Sequence, residues 1–173
     1  IKIAQHEAIV NKATLGNIDS SATSPAGVSI DKDPTKLLDD FHSDLTKEQK
    51  MAMVNHMVII DSVSRKNPDA SYKIPLVQQS MMMMNISEAE CAQQLSSKSE
   101  DYILGQLKGI NSAHLDLHVC NCMMVTAQFA KGESDAEVRE AKLWSTFNTM
   151  GVSKEEAQNM AAKIMALGKM FGI

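Results

Sequence analysis

The strongest constraint on this chain is that part of it occurs twice. The stretch VCNCMMVTAQFAKGESDAEVREAKLWSTFNTM, residues 119–150, aligns without a gap on the residues 66 positions before it. Asn121 falls on Asn55, Met123 on Met57, Asp135 on Asp69, Ala136 on Ala70 and Met150 on Met84. The register holds beyond the stretch, with Ser153 on Ser87 and Glu156 on Glu90. Self-similarity at a fixed offset marks a duplicated supersecondary unit, here helix, turn, helix. The repeats are expected over residues 45–95 and 111–167.

Helix punctuation divides both copies. Thr46-Lys47-Glu48-Gln49 and Ser87-Glu88-Ala89-Glu90 have the capping-box spacing, in which a hydroxyl and a carboxyl or amide satisfy each other's orphan amides. The first helix should run to about Arg65 and stop before Asn67-Pro68, because a proline disfavours helix for the residue preceding it. Asp69 is a candidate cap for the next helix, irregular at its start because of Pro75 and regular from 74 to 84. Helices follow over 87–95, from Ser97 or Ser99 past Leu107, over 112–131 up to Gly132, over 136–150 up to Gly151, and from Ser153 to about Leu167. Ser134 or Asp135 would cap the helix at 136.

No segment alternates with period two, as a half-buried strand would. Aromatic residues make up 4% while methionine occurs 13 times, so aliphatics and thioethers must fill the core. The expected fold is all-α, about eight helices in one domain over residues 45–173. Before it, residues 1–44 read as an extension: a short helix in 1–14, a Gly/Ser/Pro-rich linker over 15–34 and a helix over 35–43.

Several function classes recede at this point. A net charge of −4 argues against nucleic acid and anionic membranes as partners. No run of 18 apolar residues is present, so no transmembrane helix is expected. Three cysteines, two of them two positions apart, do not suggest a disulfide framework; a reducing, cytoplasmic compartment is the simpler expectation. The chain begins at Ile1, which leaves a removed leader or anchor as an open alternative. Gly-rich phosphate loops, nucleophile elbows, HExxH and CxxC are all missing, so no enzymatic activity is expected.

The residues FAKGESDAEVREAKLW followed by MGVSKEEA resemble the TerB-like family, named for a tellurite-resistance protein. The matching positions are Ala130, Gly132, Glu133, Glu137, Glu140, Gly151, Val152, Ser153 and Glu156. The resemblance extends over about residues 45–167 and is clearer in the second copy. It implies a compact helical binding module of two similar halves, linked to stress and without catalysis. It also implies an acidic surface responsive to divalent metal, or a protein-interaction role. Where the family's turn has Asp before Gly this chain has Lys131, and the first copy reads Arg65, Lys66, Asn67 and Pro68 there.

Two sets of side chains are candidate cation ligands. Glu133, Asp135, Glu137 and Glu140 gather at a helix start, where a hard divalent cation would find carboxylate oxygens. Acids there also stabilise a helix simply by opposing its dipole. The second set is a stripe on one helix, His114, His118 and Cys122 at i, i+4 and i+8, with donors suited to Zn²⁺ or copper. His56 joins it because it is the repeat partner of Cys122, and a pseudo-twofold arrangement would bring those positions together. The competing reading makes Cys122 a small core hydrophobe.

Met81 to Met84 form the most unusual run. Four consecutive helical positions sweep about 300°, so no one face hides them all. Their repeat partners are Phe147, Asn148, Thr149 and Met150, which marks Met82 and Met83 as the pair on a face that is polar in the second copy. Either residues 1–14 fold back over that pair, or a protein partner docks there. Trp144 is expected to anchor the core, and homodimerisation remains a further alternative.

Overall fold

The computed structural model describes residues 41–65, 67–128 and 135–170. The predicted segments 1–14, 15–34 and most of 35–43 lie outside these residues, as do Lys131, Gly132 and Glu133. Among the described residues there are seven α-helices and one 3₁₀-helix, and no strands. The helices are α1 (Lys47–Ser62), α2 (Pro75–Met83), α3 (Glu88–Ser97), α4 (Glu100–Gln106), α5 (Ser112–Gln128), α6 (Ala136–Thr149) and α7 (Lys154–Met170), with the 3₁₀-helix at Pro68–Lys73 between α1 and α2.

Helix α1 is the axis of the fold. Every residue from Met51 to Asp61 is buried, as expected of a helix apolar nearly all round. It contacts every other element except α7 in substance: α2, α3, α4, α5, α6 and the 3₁₀-helix all pack on it. Its buried polar groups are bonded across to those neighbours. Asn55 donates to the Cys91 carbonyl (2.9 Å) and to Gln94 Oε1 (2.8 Å), and accepts from the Tyr72 hydroxyl (2.7 Å). Asp61 accepts from Ser71 (2.6 Å) and pairs with Arg65 one turn on.

Helix α5 is the second layer, pressed between α1 and α7. Val119, Cys122 and Val125 enter the main core, while Leu117 and Cys120 meet Met83 and Ile164 in a smaller cluster. α7 turns Ala157, Met160, Ile164 and Leu167 inward, a stripe at helical spacing with polar residues opposite.

Helices α2 and α6, which align in the 66-residue register, end in the same way. At the close of α2 the Ile86 amide bonds to the Met81 carbonyl, and at the close of α6 the Val152 amide bonds to the Phe147 carbonyl, both six-to-one bonds in the 66-residue register. Asn85 (φ 54) and Gly151 (φ 79) take the left-handed conformation that this termination requires. Ser87 then accepts from the Glu90 amide and Ser153 from the Glu156 amide.

Other expectations need adjustment. α1 ends at Ser62, a turn short of Arg65, because the Ser64 and Arg65 amides form tight turn bonds to Asp61 and Ser62. The cap before the 3₁₀-helix is Asn67, which accepts from the Asp69 amide, and not Asp69 itself. Asp135 precedes α6 without a side-chain capping bond. α7 runs on to Met170. Trp144 is half-buried at the rim of the core, against Phe147 and beneath the Lys154 ammonium.

Candidate metal centre

Packing of α1 against α5 places three potential ligands side by side. His56 from α1 meets His118 and Cys122 from α5, all within 4.8 Å of one another by their donor atoms. His56 Nδ1 lies 2.9 Å from His118 Nε2, and Cys122 Sγ lies 3.6 Å from the first and 3.5 Å from the second. Each residue is at most 1% exposed. A tetrahedral ion at zinc-like bond lengths sets N···S at about 3.6 Å and N···N at about 3.3 Å. The two sulfur distances already have those values, and the imidazoles would part by roughly 0.4 Å to admit the ion.

The bonding behind His56 fixes where its lone pair points. The Thr146 hydroxyl donates to the Leu143 carbonyl (2.9 Å), so its oxygen must accept from His56 Nε2–H (2.7 Å). Burial, followed by the fields of His118 and Lys142, holds His56 well below the usual imidazole range, so the ring is neutral. With the proton on Nε2, the free lone pair sits on Nδ1, faces the centre and accepts from His118 Nε2–H (2.9 Å). A hydrogen bond behind a ligating histidine does this in metal sites generally. Burial likewise lowers His118 to about 4 and pushes the Cys122 thiol well above its ordinary value. His118 Nδ1 has no hydrogen-bond partner among the described residues.

His114 takes a different course from the rest of its stripe. It is buried, and its Nε2 lies 2.7 Å from Asp44 Oδ1, against Phe41 and His42. The hydrogen bond from His114 is the main reason that the Asp44 carboxyl sits below its normal range. Asn111 caps α5 by accepting from the His114 amide (3.0 Å) and also donates to Asp44 (2.6 Å). The three-residue centre is therefore built from His56, His118 and Cys122, with His114 one turn away.

Of the acidic candidates, Glu133 lies outside the described residues. Asp135, Glu137 and Glu140 are exposed on α6, and Glu140 accepts from the Trp144 indole (3.3 Å). Met82 is 68% exposed, whereas Met83 is buried against Leu117, Cys120 and Ile164. The described cover of Met83 thus comes from α5 and α7; the alternative cover, residues 1–14, lies outside the described residues. Thr146, the group that orients His56, carried no signal in the sequence, since one threonine among many marks nothing without its partner.

No protein-family model matches the chain, and no curated protein or solved structure is significantly similar to it.

Proposed function

We propose that this protein is a metal-binding module whose ion is held by His56 Nδ1, His118 Nε2 and Cys122 Sγ. The observation that carries this reading is the convergence of three soft or borderline donors from two helices within 4.8 Å. The orientation of the His56 lone pair by Thr146 supports it. Imidazole and thiolate together suit Zn²⁺ or copper, not the hard cations that carboxylate clusters take. A non-catalytic role, in buffering or sensing the ion, fits a centre with so little exposure.

The same reading gives the 66-residue repeat a purpose. His56 and Cys122 are equivalent positions, and they meet at 3.6 Å, as residues beside a pseudo-twofold axis would. In this reading a duplicated helical unit in the TerB-like manner built a pocket between its halves, and the ligands arose where the halves touch.

Titration of metal-free protein with Zn²⁺, Co²⁺ and, anaerobically, Cu⁺ tests the proposal. A ligand at a hundred times its dissociation constant adds about 2.7 kcal/mol of stability, several degrees in melting temperature for this size. Binding of at least one of these ions, with a thiolate-to-metal absorption band that Cys122→Ser abolishes, is the expected result. If no soft metal shifts the melt, the three residues are a hydrogen-bonded core network. Docking of a protein partner at the exposed Met82 then becomes the better reading.

A further inference from the structure

We infer that the ion is monovalent copper, bound three-coordinate by His56, His118 and Cys122. This rests on the metal-binding reading above and adds the identity of the ion. Charge is the first argument. On loading, the Cys122 S–H proton leaves to solvent, the His118 ring proton passes from Nε2 to the unpartnered Nδ1, and Cu–S and Cu–N bonds form, with no change of oxidation state. The ligand set then carries one negative charge, so Cu⁺ makes a neutral centre and Zn²⁺ leaves a net positive one. His56, His118 and Cys122 are 0%, 1% and 0% exposed, and the cluster includes no carboxylate to offset a surplus charge. The Lys142 ammonium adds positive field at His56, partly offset by its ion pair with Glu100 (2.8 Å). A dry interior strongly disfavours an uncompensated ion.

Coordination number is the second argument. Structural zinc sites close with four protein ligands, and catalytic ones keep an open position for water. Here three donors converge in a closed core, an arrangement that thiolate-bound copper accepts.

Thioethers supply the third. A small cavity that the three ligands do not themselves line is walled by Met53, Met83, Met84, His42, His114 and Asn121, among others. Met53 lies one turn before His56 on α1, and His114 one turn before His118 on α5. Both ligand-bearing helices therefore lead from this cavity to the centre. Asn121 Oδ1 and His114 Nδ1, buried in its wall, have no hydrogen-bond partner among the described residues. Thioether sulfur with imidazole forms transient sites for Cu⁺ and holds Zn²⁺ poorly, so this wall is a route for copper.

The deciding experiment is an anaerobic titration of the full chain carrying Cys91→Ser and Cys120→Ser, which leaves Cys122 as the one thiol. Cu⁺ is supplied from a chromogenic chelator, Zn²⁺ in parallel, and the copper K-edge spectrum of the loaded protein is recorded. Expected are one Cu⁺ per chain, a three-coordinate spectrum with one sulfur, and much weaker Zn²⁺ binding. Thr146→Val should weaken Cu⁺ by about ten- to a hundredfold, and Cys122→Ser by more. Circular dichroism checks each fold, and His118→Gln replaces Cys122→Ser if that variant does not fold. Zn²⁺ binding as tight as Cu⁺, or a four-coordinate spectrum, overturns the copper assignment and leaves the metal centre standing. Binding of neither ion, or Cu⁺ binding indifferent to both ligand variants, overturns both.

Discussion

Asn55 and Asn121 stand at equivalent positions of the two copies, both buried, in opposite circumstances. Asn55 uses its amide fully, tying α1 to Cys91, Gln94 and Tyr72. Asn121 keeps an unpartnered oxygen in the wall of a cavity. One position along, His56 and Cys122 differ in kind and face each other. The ends of α2 and α6, by contrast, share their backbone bonds, from the left-handed residues Asn85 and Gly151 to the serines Ser87 and Ser153 that accept the next helix's amide. At the pair of aligned asparagines the first is bonded on three sides and the second leaves a buried acceptor open.

The sharpest test of that contrast is truncation at the two asparagines. Asn55→Ala strands buried partners on three sides and should cost about 3 kcal/mol or more in denaturant unfolding. Asn121→Ala removes an acceptor already without a bond, so its cost should be about 1 kcal/mol or less. Equal costs would break the comparison.

Acid should act next most strongly, through the centre. His118 has its folded pKa lowered to about 4 from the ordinary 6.5, so below pH 6.5 the unfolded chain binds more protons. The stability it contributes is complete above pH 6.5 and falls as pH drops toward 4, by about 3 kcal/mol for this residue alone. The buried His56, shifted in the same direction, steepens the loss. Metal-free His118→Gln should show a flatter stability curve over that window. An unchanged curve would mean that the ring is hydrated and not enclosed.

Smaller effects are expected at the helix ends. Gly151→Ala forces a side chain into positive φ and should cost about 1 kcal/mol, whereas Asn85→Gly should gain less than that. A gain and a loss of the same site geometry would show that the two terminations are one device. Glu90 gives the smallest effect. Its carboxyl is lowered to about 2, first by Lys47 and then by Ser87, so its support exists above pH 4.5 and fades as pH falls toward 2. Glu90→Gln should lower the melting temperature slightly at pH 7 and not at pH 2.

Much of the helical outline was legible because caps and turns act over a few residues. Thr46 with Gln49, Ser87 with Glu90, and the stop at Gly151 all stand as their spacing predicts, whereas α1 ends at Ser62, well before the proline expected to stop it. The three residues of the candidate centre were nominated too: His118 and Cys122 share a helical stripe, and the repeat register added His56. The diversion of His114 was not, because Asp44, its partner, lies 70 positions away in the chain. Nor did the methionine run reveal that Met83 turns inward while Met82 stays out, which depends on where α7 lies.

What the sequence determined by itself was the class of structure: an all-α chain whose helix ends recur at one offset, since backbone capping needs only near neighbours. Tertiary structure alone decided which donors meet. His56 reaches His118 and Cys122 because an α1 that is buried all round must pack directly on α5, and burial, not spacing, sets that contact.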